Sequence, residues 1–237
     1  DFGDDDALHG LQWVTVEVNP KPPPIPMSSG IHLDNNATTR IAPRVFEAMV
    51  PWLTEHQGNP SSLHRPGREA AAAVEEARAR VAALAGCPPG AIVFTGCGTE
   101  SITTAILSAT ASRPDKRHIV TTAVEHSATL RLCEALERGG HEITRVGVDS
   151  LGRLDPAWID EAIRPDTALV TLLAANNETG VLFPVREIAA IVAKRGVLLH
   201  LDAVQALGKV PVDLRGAHFA SFSAHKLHGP KGVGALF

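Results

Sequence analysis

An α/β fold, a mostly parallel sheet with helices on both faces, is predicted by three observations. Short apolar runs alternate with longer helical segments along most of the chain. Four of these runs end abruptly in polar residues, the pattern of strands whose carboxyl ends face a ligand. The 237 residues are 44% hydrophobic, enough to bury a sizeable core in one or two domains. Taken in order, 44–56 and 68–85 read as helices. The second has Glu76 and Arg80 at an i,i+4 spacing and Gly86 as its stop. Strands near 91–95, 118–123, 142–148, 168–174 and 197–202 alternate with helices near 100–111, 127–138, 156–163 and 186–195. The last residues, Val233-Gly-Ala-Leu-Phe237, read as a strand cut partway.

The chemistry-bearing residues sit where these strands end. The run Val197-Leu-Leu-His-Leu stops on Asp202, and Lys226 follows in Ser221-Phe-Ser-Ala-His-Lys226, ahead of a glycine-rich turn. An acid closing a buried strand and a lysine on a tight loop suit a pyridoxal phosphate (PLP) site. The amine bonds the cofactor aldehyde, and the carboxylate pairs with the protonated ring nitrogen. Lys231 on the same turn is a rival for the lysine role. Upstream, Ala91-Ile-Val-Phe-Thr95 runs into Gly96-Cys-Gly-Thr-Glu-Ser101, which places bare N–H groups at a helix start, with Thr99 as candidate cap. The same segment also fits an ordinary capped helix. A third strand ends in Glu125-His126, with Ser127 as candidate cap, and His126 fits either a ring-stacking role or a plain loop residue. A fourth leads into Asn176-Asn-Glu-Thr-Gly180.

These phrases resemble those of cysteine desulfurases in the class V aminotransferase group, most closely the nitrogen-fixation (NifS-like) branch. The likeness runs in order from about Ile31 to Phe237. It includes Leu33-Asp-Asn-Asn-Ala-Thr-Thr39, Gly58-Asn-Pro-Ser-Ser-Leu-His64, Cys97-Gly-Thr-Glu-Ser101, Ala175-Asn-Asn-Glu-Thr-Gly180, His200-Leu-Asp-Ala-Val-Gln205 and His225-Lys-Leu-His-Gly-Pro-Lys-Gly-Val-Gly234. The resemblance implies the large domain of a PLP-dependent transferase of fold type I. Lys226 would bond the cofactor, Asp202 would pair with the ring nitrogen, and Gln205 would reach the phenolic oxygen. His126 would stack on the ring and share in catalysis. Gly98, Thr99, Ser223 and His225 would hold the phosphate, and Asn177 would lie near the phenolic oxygen and the substrate carboxylate. Gly96 and Ser127 depart from the family's usual Ser and Pro.

The implied reaction takes sulfur from L-cysteine, leaving L-alanine and an enzyme persulfide for iron–sulfur cluster assembly. The resemblance also implies a homodimer, an iron–sulfur scaffold partner and a link to nitrogen fixation. The sulfur-accepting cysteine and the substrate-binding arginine are expected past Phe237, in a small C-terminal domain that this chain lacks. Cys87 follows a helix, Cys97 sits in the phosphate loop and Cys133 fits a packing position, so none suits the acceptor role and this chain alone is expected to turn over little. A binding module without turnover, and a selenocysteine lyase or other class V aminotransferase, remain the alternatives.

Residues 27–237 are read as the PLP-binding large domain and 1–26 as an unrelated or disordered leader. That leader carries the Asp4, Asp5 and Asp6 cluster, an alternating Val14-Thr-Val-Glu-Val18 and the proline-rich Pro20-Lys-Pro-Pro-Pro-Ile-Pro26. A net charge of −4 gives no electrostatic case for nucleic acid or acidic membranes. No apolar run is long enough to span a bilayer, three unpaired-looking cysteines fit a reducing cytoplasm, and the scattered histidines show no metal-ligand spacing.

Overall fold

The computed structural model describes residues 31–237. The acidic cluster, the alternating stretch and the proline-rich segment lie outside the described residues. The unit Asp34–Phe237 is built on one seven-stranded sheet. Its strands are β1 (Val93–Thr95), β2 (His118–Thr122), β3 (Glu142–Val146), β4 (Thr167–Leu173), β5 (Leu198–Asp202), β6 (Phe219–Ser223) and β7 (Gly234–Leu236). Across the sheet the order is β1-β7-β6-β5-β4-β2-β3. The pairs β2–β3, β2–β4, β4–β5 and β5–β6 are parallel, and β7 runs antiparallel to both neighbours. The last strand, β7, therefore lies beside the first, β1.

Six α-helices accompany the sheet: α1 (Pro43–Thr54), α2 (Arg65–Ala85), α3 (Gly98–Ala111), α4 (Ser127–Arg138), α5 (Pro156–Ala162) and α6 (Val185–Lys194). Side chains alternate across a strand, so one strand feeds two cores. Ile119 and Leu169 pack with Ile102, Ile106 and Ala109 of α3 and with Leu132 and Leu136 of α4. Their strand neighbours Val120 and Val170 pack with Ile159 of α5 and with Ile188 and Val192 of α6. Helices on both faces are thus the direct result of β2 and β4 being apolar on both sides. All seven residues of β4 are buried, which explains why it reads as a continuous apolar run.

Several boundaries differ from the sequence expectation for local reasons. Helix α2 begins at Arg65 rather than 68, because His64 caps it by accepting the Gly67 N–H and Pro66 fits the first turn. It stops as expected at Gly86, whose φ of 72° is left-handed, and Arg80 pairs with Glu76. Thr99 and Ser127 are not caps: Cys97 caps α3 and His126 caps α4, each one or two residues earlier than expected. Strand β6 was not anticipated, since Phe-Ala-Ser-Phe-Ser has small hydroxyls where a strand of this burial usually has aliphatic residues.

Leu199, fully buried in β5, touches the core on which both neighbouring strands depend. Leu199→Ala should lower stability by about 2–5 kcal/mol, the range for a large-to-small change in a packed core. Urea denaturation should show this as a lower midpoint with an unchanged slope.

Candidate functional site

Parallel register brings the ends of β4, β5 and β6 level. Leu173 lies opposite Asp202, and Asp202 opposite Ser221. The loops leaving these strands, with those after β1 and β2, surround a cleft of about 560 Å³. The residues that the family likeness implied for the cofactor site all line it: Gly98, Thr99, His126, Asn177, Asp202, Gln205, Ser223, His225 and Lys226. Lys231 is exposed and lies outside the lining.

Lys226 ends a 3-10 turn, Ala224–Lys226, that follows directly from β6. Its Nζ donates to the carbonyls of Asn36 and Ala37, the latter at 2.9 Å. Burial holds its pKa below the ordinary lysine value, against the pull of Asp34 and Asp202. The turn is pinned from outside by Thr39, whose N–H and hydroxyl both donate to the His225 carbonyl at 2.9 Å. Asp202 is 2% exposed, and its Oδ1 accepts the Val204 N–H at 3.0 Å. Burial pushes its carboxyl pKa up, while that N–H, His126 and Lys226 oppose the shift. Such a carboxylate gains most from a cationic partner within the cleft.

Another part of the lining, at the start of α3, suits an anion. At the start of α3 the Cys97 Sγ accepts the Glu100 N–H at 3.4 Å, and Glu100 Oε2 accepts the Gly96 N–H at 2.7 Å. The N–H groups of Gly98 and Thr99 have no acceptor among the described residues. A Cβ on Gly98 would lie 3.0 Å from Val204 Cγ2 and 3.3 Å from Ser223 Cβ, so glycine lets the backbone approach closely without displacing either side chain. Ser223, 3% exposed, has an Oγ with no hydrogen-bond partner. His225 completes this corner, its Nδ1 3.1 Å from the Thr38 hydroxyl.

The remaining lining is held by amides. Asn176 donates to the Val124 carbonyl at 3.2 Å, and its Oδ1 accepts from the Glu178 and Thr179 N–H groups, fixing the Asn177 loop against the Glu125-His126 turn. Gln205 Nε2 donates to the Asn36 carbonyl at 3.0 Å. His126 Nδ1 accepts the Ala128 N–H at 3.1 Å, which fixes the ring at the cleft wall.

Sequence reasoning missed four contributors. Asp34 and Asn36 line the cleft from the opposite end of the chain, which only the Leu33-to-Thr39 phrase hinted at. His200 had seemed one of several scattered histidines. It is fully buried, with Nδ1 2.8 Å from the Thr171 hydroxyl and Nε2 2.8 Å from the Ser221 hydroxyl, and burial lowers its pKa to about 3. It therefore stays neutral and ties β4, β5 and β6 together one pleat below Asp202. Glu125 is also buried, its Oε1 accepting the Thr122 hydroxyl at 2.6 Å and the Leu173 N–H at 3.1 Å. Burial raises its pKa to about 8, with Asp202 adding to the rise.

Residues 31–237 match the aminotransferase class-V family model. The chain belongs to the class V aminotransferase family. This class V chain is 54% identical over 210 residues to a cysteine desulfurase of Enterobacter agglomerans, covering 87% of the chain and 52% of that protein. It is 47% identical over 210 residues to the cysteine desulfurase NifS of Azotobacter vinelandii, covering 87% and 52%. A solved NifS-like protein superimposes with a TM-score of 0.83 at 43% identity, over 86% of this chain and 57% of that one. The sheet is thus that of a NifS-like large domain of fold type I. The chain spans about half the length of the curated relatives it matches.

Protonated Glu125 is favourable to folding and its ionised form is not. The folded state keeps a proton up to about pH 8 that the unfolded chain loses near 4.5. Stability is therefore full below about 4.5 and falls as pH rises towards 8, by up to about 1.4 kcal/mol per pH unit. Glu125→Gln should remove this slope, so its melting temperature relative to the parent should climb between pH 5 and 8. Parallel curves would contradict a buried, proton-holding Glu125.

Proposed function

We propose that this chain carries the cofactor site of a PLP-dependent cysteine desulfurase, acting on L-cysteine to give L-alanine and sulfur bound to an enzyme thiol. The observation that supports this most is the convergence of Lys226, Asp202 and the anion corner at α3 on one cleft. The residues present fit the phosphorylated pyridine aldehyde at both ends. The unpartnered Ser223 Oγ and the Gly98 and Thr99 N–H groups suit a phosphate, with His225 beside them. The buried Asp202 suits a protonated ring nitrogen. His126 would cover the ring, Gln205 would donate to its phenolic oxygen, and Asn177 would serve that oxygen and the substrate carboxylate. When bound, the cofactor supplies an electron sink for negative charge at the substrate α-carbon.

The protein's own steps follow from its geometry. Lys226, whose amine donates to the Asn36 and Ala37 carbonyls, would hold the cofactor through that amine, and the same amine would serve as the base for the α-proton of cysteine. Burial of that amine keeps more of it neutral at a given pH, the form a base needs. Asp202 would face the ring nitrogen, whose positive charge would favour the ionised carboxylate that burial disfavours, while Glu125 beside it stays protonated and adds no competing charge. The sulfur acceptor is a thiol outside residues 1–237. Cys133 is buried with its pKa pushed up to about 12, and burial also raises that of Cys87. The same reading extends to a homodimer, to delivery of sulfur to an iron–sulfur scaffold with a link to nitrogen fixation, and to the cytoplasm. No helix among the described residues is long and apolar enough to cross a membrane.

Incubation with PLP should give a visible absorbance band that L-cysteine alters and that Lys226→Ala abolishes. Asp202→Asn should weaken cofactor binding by about ten- to a hundredfold, the worth of one charged hydrogen bond. A band that survives in Lys226→Ala would assign the attachment elsewhere. Alanine formation from L-cysteine, followed in the whole protein, tests the reaction itself.

A further inference from the structure

Cys97 is the exposed thiol among the described cysteines, and it sits inside the candidate cleft. Its backbone caps α3, its side chain accepts the Glu100 N–H, and the next residue is the close-packed Gly98. Across the same corner lies the buried, unpartnered Ser223 Oγ. Desulfuration as proposed above leaves this thiol without a task. Cys133, by contrast, is fully buried, and Cys87 is half-buried with its pKa raised. A small disulfide entering from solvent therefore meets Cys97 first.

We propose that Cys97 is a thiol-modification site at which a small-molecule mixed disulfide and the cofactor phosphate exclude one another, so that oxidation blocks loading and loading shields the thiol. The inference rests on the PLP reading of the cleft. The exchange needs only a disulfide such as glutathione disulfide. The Cys97 thiolate attacks one sulfur, the Cys97–glutathione bond forms as the glutathione S–S bond breaks, and the second glutathione departs as a thiolate that takes up a proton. The Cys97 sulfur is oxidised and the departing sulfur is reduced. The attached tripeptide then occupies the corner where the Gly98 and Thr99 N–H groups face the cleft. Cys97, Gly98 and Thr99 are consecutive and line the same cleft, so the adduct and a phosphate contend for one stretch of its wall.

The test treats cofactor-free protein with glutathione disulfide and locates adducts by peptide mass mapping, with and without PLP or inorganic phosphate. Cys97 should carry the adduct, and PLP at about ten times its dissociation constant should slow its formation about tenfold. Adduct-bearing protein should fail to develop the visible band until a reductant is added. Cys97→Ser, which keeps a capping hydroxyl, should load equally before and after the oxidant. If untreated protein loads PLP yet Cys97 reacts at an unchanged rate, or the adduct loads normally, this inference falls and the cofactor reading stands. If untreated protein never loads, both fall. No adduct at Cys97 in the cofactor-free protein overturns the inference outright.

Discussion

Burying the Asp202 carboxyl at the end of β5 raises the cost of its charge, and the Val204 N–H offsets only part of it. Much of the surrounding design follows from that one constraint. The side chain below it on the same face, His200, is kept neutral, so no charge competes from beneath. Glu125, reached through the Leu173 N–H on the neighbouring strand, holds a proton rather than a second negative charge. Asp202 is left as the carboxyl whose charge a cationic ligand would stabilise, in a dry setting where that attraction is least screened.

The cleft is electrically lopsided as a result. Its far corner is the positive end of α3, with bare N–H groups and an unpartnered hydroxyl. A ligand carrying an anion at one end and a cation at the other is held in a single orientation by this field. Lys226 lines the same cleft, its amine held by backbone carbonyls of the Asp34–Ala37 turn. The parallel sheet makes the arrangement possible, because it delivers consecutive strand ends to one side regardless of their distance in sequence.

Most of this was legible in the chain because apolar runs and abrupt polar endings leave a clear trace. Strands β2, β4 and β5 announced themselves that way, and with them His126, Asn177 and Asp202. Strand β6 did not, since Ser221 faces the buried His200 and Ser223 the cleft rather than an apolar core. The caps were misread for a related reason. Cysteine and histidine accept N–H bonds as the usual hydroxyls do, yet their composition gives no such signal. The buried state of Glu125 depends on Thr122 and on a strand far away in sequence, and no local pattern encodes that.

The two carbonyls that hold Lys226 belong to residues up to 190 positions earlier. Once the amine is committed elsewhere, Asn36 loses one of its two donors and keeps only Gln205, while Ala37 is left with none from this cluster. The turn Asp34–Ala37 is thereby coupled to occupancy of the cleft. A full site and an empty one differ not only at the lysine but in how firmly the opening stretch of the folded unit is moored, so protection of those amides and their resistance to proteolysis become a gauge of loading.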